Sequence, residues 1–107
     1  MTTQSINKPL KFVCAQQFHN RYGGLEAVMY TKMAKEVLAK HQVDMLIFEM
    51  NGSKMQIRCA GYHKVTDELD ETTIAMSFES IPTETFWLKV DYYPEDDRCT
   101  FLLPSEY

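Results

Sequence analysis

The chain has 107 residues, 45% of them hydrophobic and 24% charged, a composition that suits one domain with a single core and excludes disorder along its whole length. Its formal net charge of −4 and pI near 5.3, without any basic run, exclude an extended phosphate-binding surface, so no direct nucleic-acid contact is expected. Cys14, Cys59 and Cys99 are an odd count at wide spacing, which fits reduced thiols in a cytoplasmic protein better than a disulfide framework.

Residues 1–9 are polar and aperiodic and read as a flexible tail, with no apolar centre of the kind a signal peptide needs. No window approaches the ~20 apolar residues of a membrane-spanning helix, so no membrane association is expected. Residues 10–107 read as a single α+β domain. The segment Leu10 to Phe18 fits both periods: LKFVC is rich in strand formers, while Leu10, Val13, Cys14, Gln17 and Phe18 fit a helical stripe. A strand is the preferred reading. Asn20 to Gly24 reads as a break.

From Leu25 to Lys40 there is neither Gly nor Pro, and Leu25, Met29, Met33 and Val37 recur every fourth residue, with Val28 and Leu38 widening the stripe. This spacing predicts the main helix. Val43 to Tyr62 then reads as a β-hairpin turning on Asn51-Gly52, two residues that accept the positive φ of a type I′ turn. That turn pairs Met50 with Ser53, Glu49 with Lys54, Phe48 with Met55 and Leu46 with Ile57, and it places the apolar residues on one face. A slip of one residue would send that set to water.

His63 to Glu71 is polar and acidic and reads as a surface connection. Thr72 to Ile81 alternates as a half-buried strand, Pro82-Thr83-Glu84 turns the chain, and Phe86, Leu88, Val90 and Tyr92 mark one face of the next strand. Pro94 to Asp97 is a second tight connection, and Arg98 to Leu103 is the last strand, ended by Pro104. The expected fold is therefore α+β, one main helix on an antiparallel meander of about five strands with an additional N-terminal strand. The order strand, helix, meander is similar to cystatin-like folds in architecture alone. No motif carrying that family's activity accompanies it, so no function follows from the likeness.

The feature with the clearest functional content is the second face of the sheet. If Phe86, Leu88 and Val90 face the helix, Trp87 and Tyr93 point away from it, as do Met45 and Ile47 by hairpin parity, with Leu102 from the last strand. One helix cannot cover both faces. Either the N-terminal segment folds over this second face, or it is an aromatic and aliphatic patch that binds a protein partner or a second copy in a homodimer. The loop carboxylates Asp96 and Asp97 would add an acidic border to such a patch. The second acidic cluster is Asp67, Glu68, Asp70 and Glu71. Neither has calcium-loop spacing, and both read as solvated unless they steer a basic partner.

A small, non-catalytic interaction module of inhibitor or immunity type, or one encoded by a phage, follows from this face. The competing reading is a ligand-binding domain or enzyme with a pocket between helix and curved sheet, lined by Tyr62, Phe78, Trp87 and Tyr92, with His63 or His19 as its polar group. Cys14 with His19 and Cys59 with His63 are chemically sufficient for zinc or for a nucleophilic pair, but their spacing and apolar-face parity favour core cysteines. No metal or cofactor is expected. Gly23-Gly24 before the main helix lacks the Lys and Ser/Thr of a phosphate loop and reads as a hinge.

Overall fold

A computed structural model describes residues 9–23, 25–51, 54–76 and 85–107. The ambiguous opening stretch is a strand and then a helix: β1 (Leu10–Cys14) is followed after Ala15 by α1 (Gln16–Tyr22), which runs through the expected break and stops at Gly23. Phe18 and Tyr22, one turn apart, are the residues α1 buries. Ala15 offers no side-chain cap, and the carboxylate of Glu106 serves instead, accepting the backbone N–H groups of Gln17 and Phe18 at 2.7 and 3.1 Å. α1 is thus capped by the far end of the chain.

α2 (Leu25–Leu38) is the expected main helix, ending two residues earlier than its periodicity suggests. Its buried residues are Tyr30, Met33, Ala34, Val37 and Leu38, spaced i, i+3, i+4, i+7, i+8. Val28, expected on the stripe, is 66% exposed, because the helix presents Tyr30 and Ala34 to the core instead.

The remaining elements are β2 (Met45–Asn51), β3 (Lys54–Cys59), β4 (Gly61–Tyr62), β5 (Leu69–Asp70), β6 (Thr73–Met76), β7 (Phe86–Tyr92) and β8 (Asp97–Leu102), then a short 3-10 turn at Pro104–Glu106. Six strands form one sheet in the order β1-β8-β7-β2-β3-β6, and β4 and β5 form a separate two-residue ladder. Every pair in the main sheet is antiparallel except β1 with β8, which is parallel. The fold is α+β, with two helices and a mainly antiparallel sheet of six strands rather than one helix and five strands.

The strands do not form a simple meander. β7 pairs with β2, not with β6, so β2 lies inside the sheet with a neighbour on each side. This follows from composition: β2 and β7 carry large apolar residues on both faces and would be poor edge strands. The expected strand over Thr72–Ile81 is described as β6 preceded by Thr72, and its residues 77–81, the Pro82-Thr83-Glu84 turn and residues 1–8 lie outside the described residues.

The central hairpin has its expected faces but another register. Asn51 pairs with Lys54, Met50 with Met55, Glu49 with Gln56 and Phe48 with Ile57, a shift of two residues, while Gly52 and Ser53, on which the expected turn falls in part, lie outside the described residues. Because the shift is even, Leu46, Phe48, Met55 and Ile57 remain on the core side, where all are fully buried. Glycine is accepted at either position of a two-residue loop, second in a type I′ turn and first in a type II′ turn. Glu49 has Gln56 and Arg58 as partners, at 2.7 and 3.0 Å.

Both helices lie on the same side of the sheet. Between them and the strands is a cluster of six rings, Phe18, Tyr22, Tyr30, Phe48, Phe86 and Phe101, with Phe86 in contact with the other five. Phe48 and Phe86 stack at 4.7 Å, and Phe18 meets Phe86 edge-on at 4.9 Å.

Candidate functional site: the face of the sheet away from the helices

On the face away from α1 and α2, cross-strand pairing sets the side chains in rows. Thr73, Arg58, Ile47, Trp87 and Leu102 are successive partners across β6, β3, β2, β7 and β8. The next row is Met45, Lys89, Thr100 and Val13, and the third is Asp91, Arg98 and Lys11. Met45, Ile47 and Trp87 are half-buried and Leu102 is buried. The expected patch residues Met45, Ile47, Trp87 and Leu102 therefore do lie together, with Val13 exposed at the β1 edge.

Trp87 has a neighbour that its own strand did not announce. After Pro104–Glu106 the chain brings the Tyr107 ring against the indole at 5.5 Å, nearly perpendicular, while leaving Tyr107 itself 70% exposed. Tyr93 lies further along the same face, 40% exposed, with the Arg98 guanidinium over its ring at 4.1 Å. Charges border the apolar row in paired form. Lys89 bonds Asp91, and Glu49 takes Arg58 and Gln56. The Arg58 hydrogen bond is the main reason the Glu49 carboxyl is held below its ordinary range.

Asp96 and Asp97 are not part of a solvated acidic border. They are 3% and 6% exposed. Partial desolvation opposes ionisation of Asp96, but Lys11 at 3.2 Å and Arg98 at 3.0 Å outweigh it and lower its pKa. Asp97, paired in register with Tyr92 and Leu10, falls on the helix-covered face, with Lys64 at 3.9 Å. Asp67, Glu68, Glu71 and Glu95 are the exposed carboxylates of the two clusters, and Asp70 is half-buried.

Among the described residues of the competing pocket, Tyr62 and Tyr92 line different clefts. Tyr62 is exposed and borders a shallow cleft with Asp44, Lys89 and Tyr107. Tyr92 lines a different one of about 140 Å³ between β1, α2 and β7, and its hydroxyl donates to the Val43 carbonyl at 2.6 Å. The Nδ1 of His63 accepts the N–H groups of Val65 and Thr66, which closes the turn that follows it. Phe78 lies outside the described residues.

The cysteines are free thiols. Cys59 and Cys99 are fully buried, and burial is the leading cause that pushes their thiols up to about 11 and about 12, the opposite of an activated nucleophile. His19 is exposed on α1, whereas Cys14 faces α2. Cys59 is grouped with His41 and Asp70 rather than with His63. Among the described residues no helix is long and apolar enough to cross a membrane. Compared with known proteins, the chain matches no family model, no curated sequence and no solved structure.

Proposed function

We propose that this protein is a small non-catalytic interaction module that binds a protein partner, or a second copy of itself, through the sheet face centred on Trp87. The observation that carries the reading is the Ile47–Trp87–Leu102 row, with Met45 beside it and charges already paired along its border. Such a patch offers apolar and aromatic area at its centre without leaving unpaired charge to be buried on association. A role as an inhibitor or immunity protein is the finer form of the same reading. It draws on the net charge of −4 and the exposed carboxylates Asp67, Glu68, Glu71 and Glu95, which would attract a basic partner.

Trp87 is the single tryptophan, so its fluorescence reports on this face alone. In a dilution series followed by light scattering, the expected result is an indole open to acrylamide quenching in the monomer and shielded as the protein associates with itself or with added partner. Trp87→Ala should remain folded and fail to associate. An indole already shielded from quencher at dilutions where the protein is monomeric would mean that the chain covers this face itself, and would overturn the reading.

A further inference from the structure

On the opposite side of the sheet, three residues far apart in sequence meet. His41 follows α2, Cys59 ends β3 and Asp70 lies in β5, and their donor atoms all fall within 4.8 Å of one another. We propose that His41, Cys59 and Asp70 form a binding site for a divalent cation of the zinc class, independent of the Trp87 face.

The geometry is close to what a cation needs. His41 Nδ1 and Asp70 Oδ2 are 3.0 Å apart, near the spacing of adjacent ligands on one ion, and with metal–ligand bonds of about 2.0–2.3 Å the widest gap closes by about 1 Å. Thr72 holds two of the three in place: its N–H donates to Asp70 Oδ1 at 2.9 Å, and its carbonyl accepts the N–H of Cys59 at 2.8 Å. Outer contacts of this sort orient ligands before a metal arrives. Both carboxylate oxygens of Asp70 are thus engaged at the site, Oδ1 by the Thr72 N–H and Oδ2 by His41.

The donor set selects the ion. One nitrogen, one sulfur and one oxygen suit zinc and its neighbours, whereas magnesium and calcium take oxygen ligands. Charge balances as well. When the ion binds, the Cys59 S–H bond breaks, the proton leaves to solvent and the sulfur electron pair forms the metal bond. The neutral imidazole shifts its proton to Nε2 as Nδ1 takes the ion. A thiolate and a carboxylate then cancel the two positive charges, as a half-buried site requires. Cys59 is fully buried, while the His41 and Asp70 side chains keep 25% and 21% of their surface, so the site has a closed floor and an open rim. A cleft of about 250 Å³ along Glu36, Val37, Lys40, His41 and Ile74 adjoins that rim. Three protein ligands leave a fourth position for water or for a group from a partner.

Cobalt(II) titration of the full chain under reducing conditions tests the site, with zinc(II) as competitor. One equivalent of cobalt should produce a near-ultraviolet thiolate-to-cobalt charge-transfer band and the intense visible bands of a four-coordinate ion, and zinc should abolish both. Cys59→Ser should remove the charge-transfer band. Asp70→Asn, which keeps the fold if the serine variant does not, should weaken cobalt binding at least tenfold, whereas Cys14→Ser should leave the spectrum unchanged. No stoichiometric charge-transfer band in the wild type, or a band that disappears with Cys14→Ser or is unaffected by Asp70→Asn, would refute the site.

Discussion

The two faces of the sheet are built from the same strands and the same alternation, yet they are finished differently. Toward the helices, the described strand residues are apolar row after row, Ile57–Phe48–Phe86 and Cys59–Leu46–Leu88–Phe101 among them, with Asp97 the one charge at the end of β8. Away from the helices, an apolar row through Ile47, Trp87 and Leu102 is flanked by rows holding Lys89, Asp91, Arg98 and Lys11. The first face is a core because two helices bring complementary rings to it. The second keeps its charges paired and its tryptophan half-buried, which is how a surface stays compatible with water and with a partner.

The comparison breaks first at Phe86, whose ring touches five others. Phe86→Ala should cost about 3–5 kcal/mol in urea unfolding, because the rings around it cannot close the cavity. Trp87, the next residue on the opposite face, should cost only about 1–2 kcal/mol when changed to Ala and leave a cooperative transition, as half-buried side chains ordinarily do. Equal losses at the two positions would show that both faces are core.

A smaller effect is expected at Glu106, whose contacts tie the chain end to α1. Partial burial opposes its charge, but the N–H groups of Leu103, Gln17 and Phe18, with Arg21 nearby, hold its carboxyl below the usual range. A carboxyl lowered in the folded state stabilises above its unfolded pKa of about 4.3, and that contribution disappears as pH falls through the lowered folded value. Glu106→Gln should therefore melt below wild type at neutral pH, and the two melting curves should converge in acid. A gap independent of pH would mean that the charge has no part in the cap. The smallest change is expected at the border of the open face: Glu49→Gln should cost under about 1 kcal/mol, and less still in high salt, since Arg58 is partly exposed and the pair is screened.

What could be read from residue order follows from period. The α2 stripe, the alternation of Phe86, Leu88 and Val90 against Trp87 and Lys89, and the parity that puts Met45 and Ile47 beside Trp87 all depend only on spacing along one element. The hairpin register was not legible, because a shift of two residues returns every side chain to its own face and both Asn51-Gly52 and Gly52-Ser53 suit a two-residue loop. α1 was hidden because its N-terminal donors are met by Glu106, at the other end of the chain. Asp96 and Asp97 look like loop carboxylates in a string of letters. Lys11, from β1, takes part in holding Asp96 inside, and the parallel register of β1 on β8 is what brings it there.

By itself, then, the sequence determined the class of α2 and of the long strands, and the face of the sheet on which the strands' apolar residues stand, since both are local consequences of backbone period and side-chain size. Only the tertiary structure decided the strand order, the helix held by Glu106, the meeting of Tyr107 with Trp87, and the convergence of His41, Cys59 and Asp70. Each of these joins segments tens of residues apart. Such contacts are selected by how well whole elements pack together, and no short window of residues carries that information.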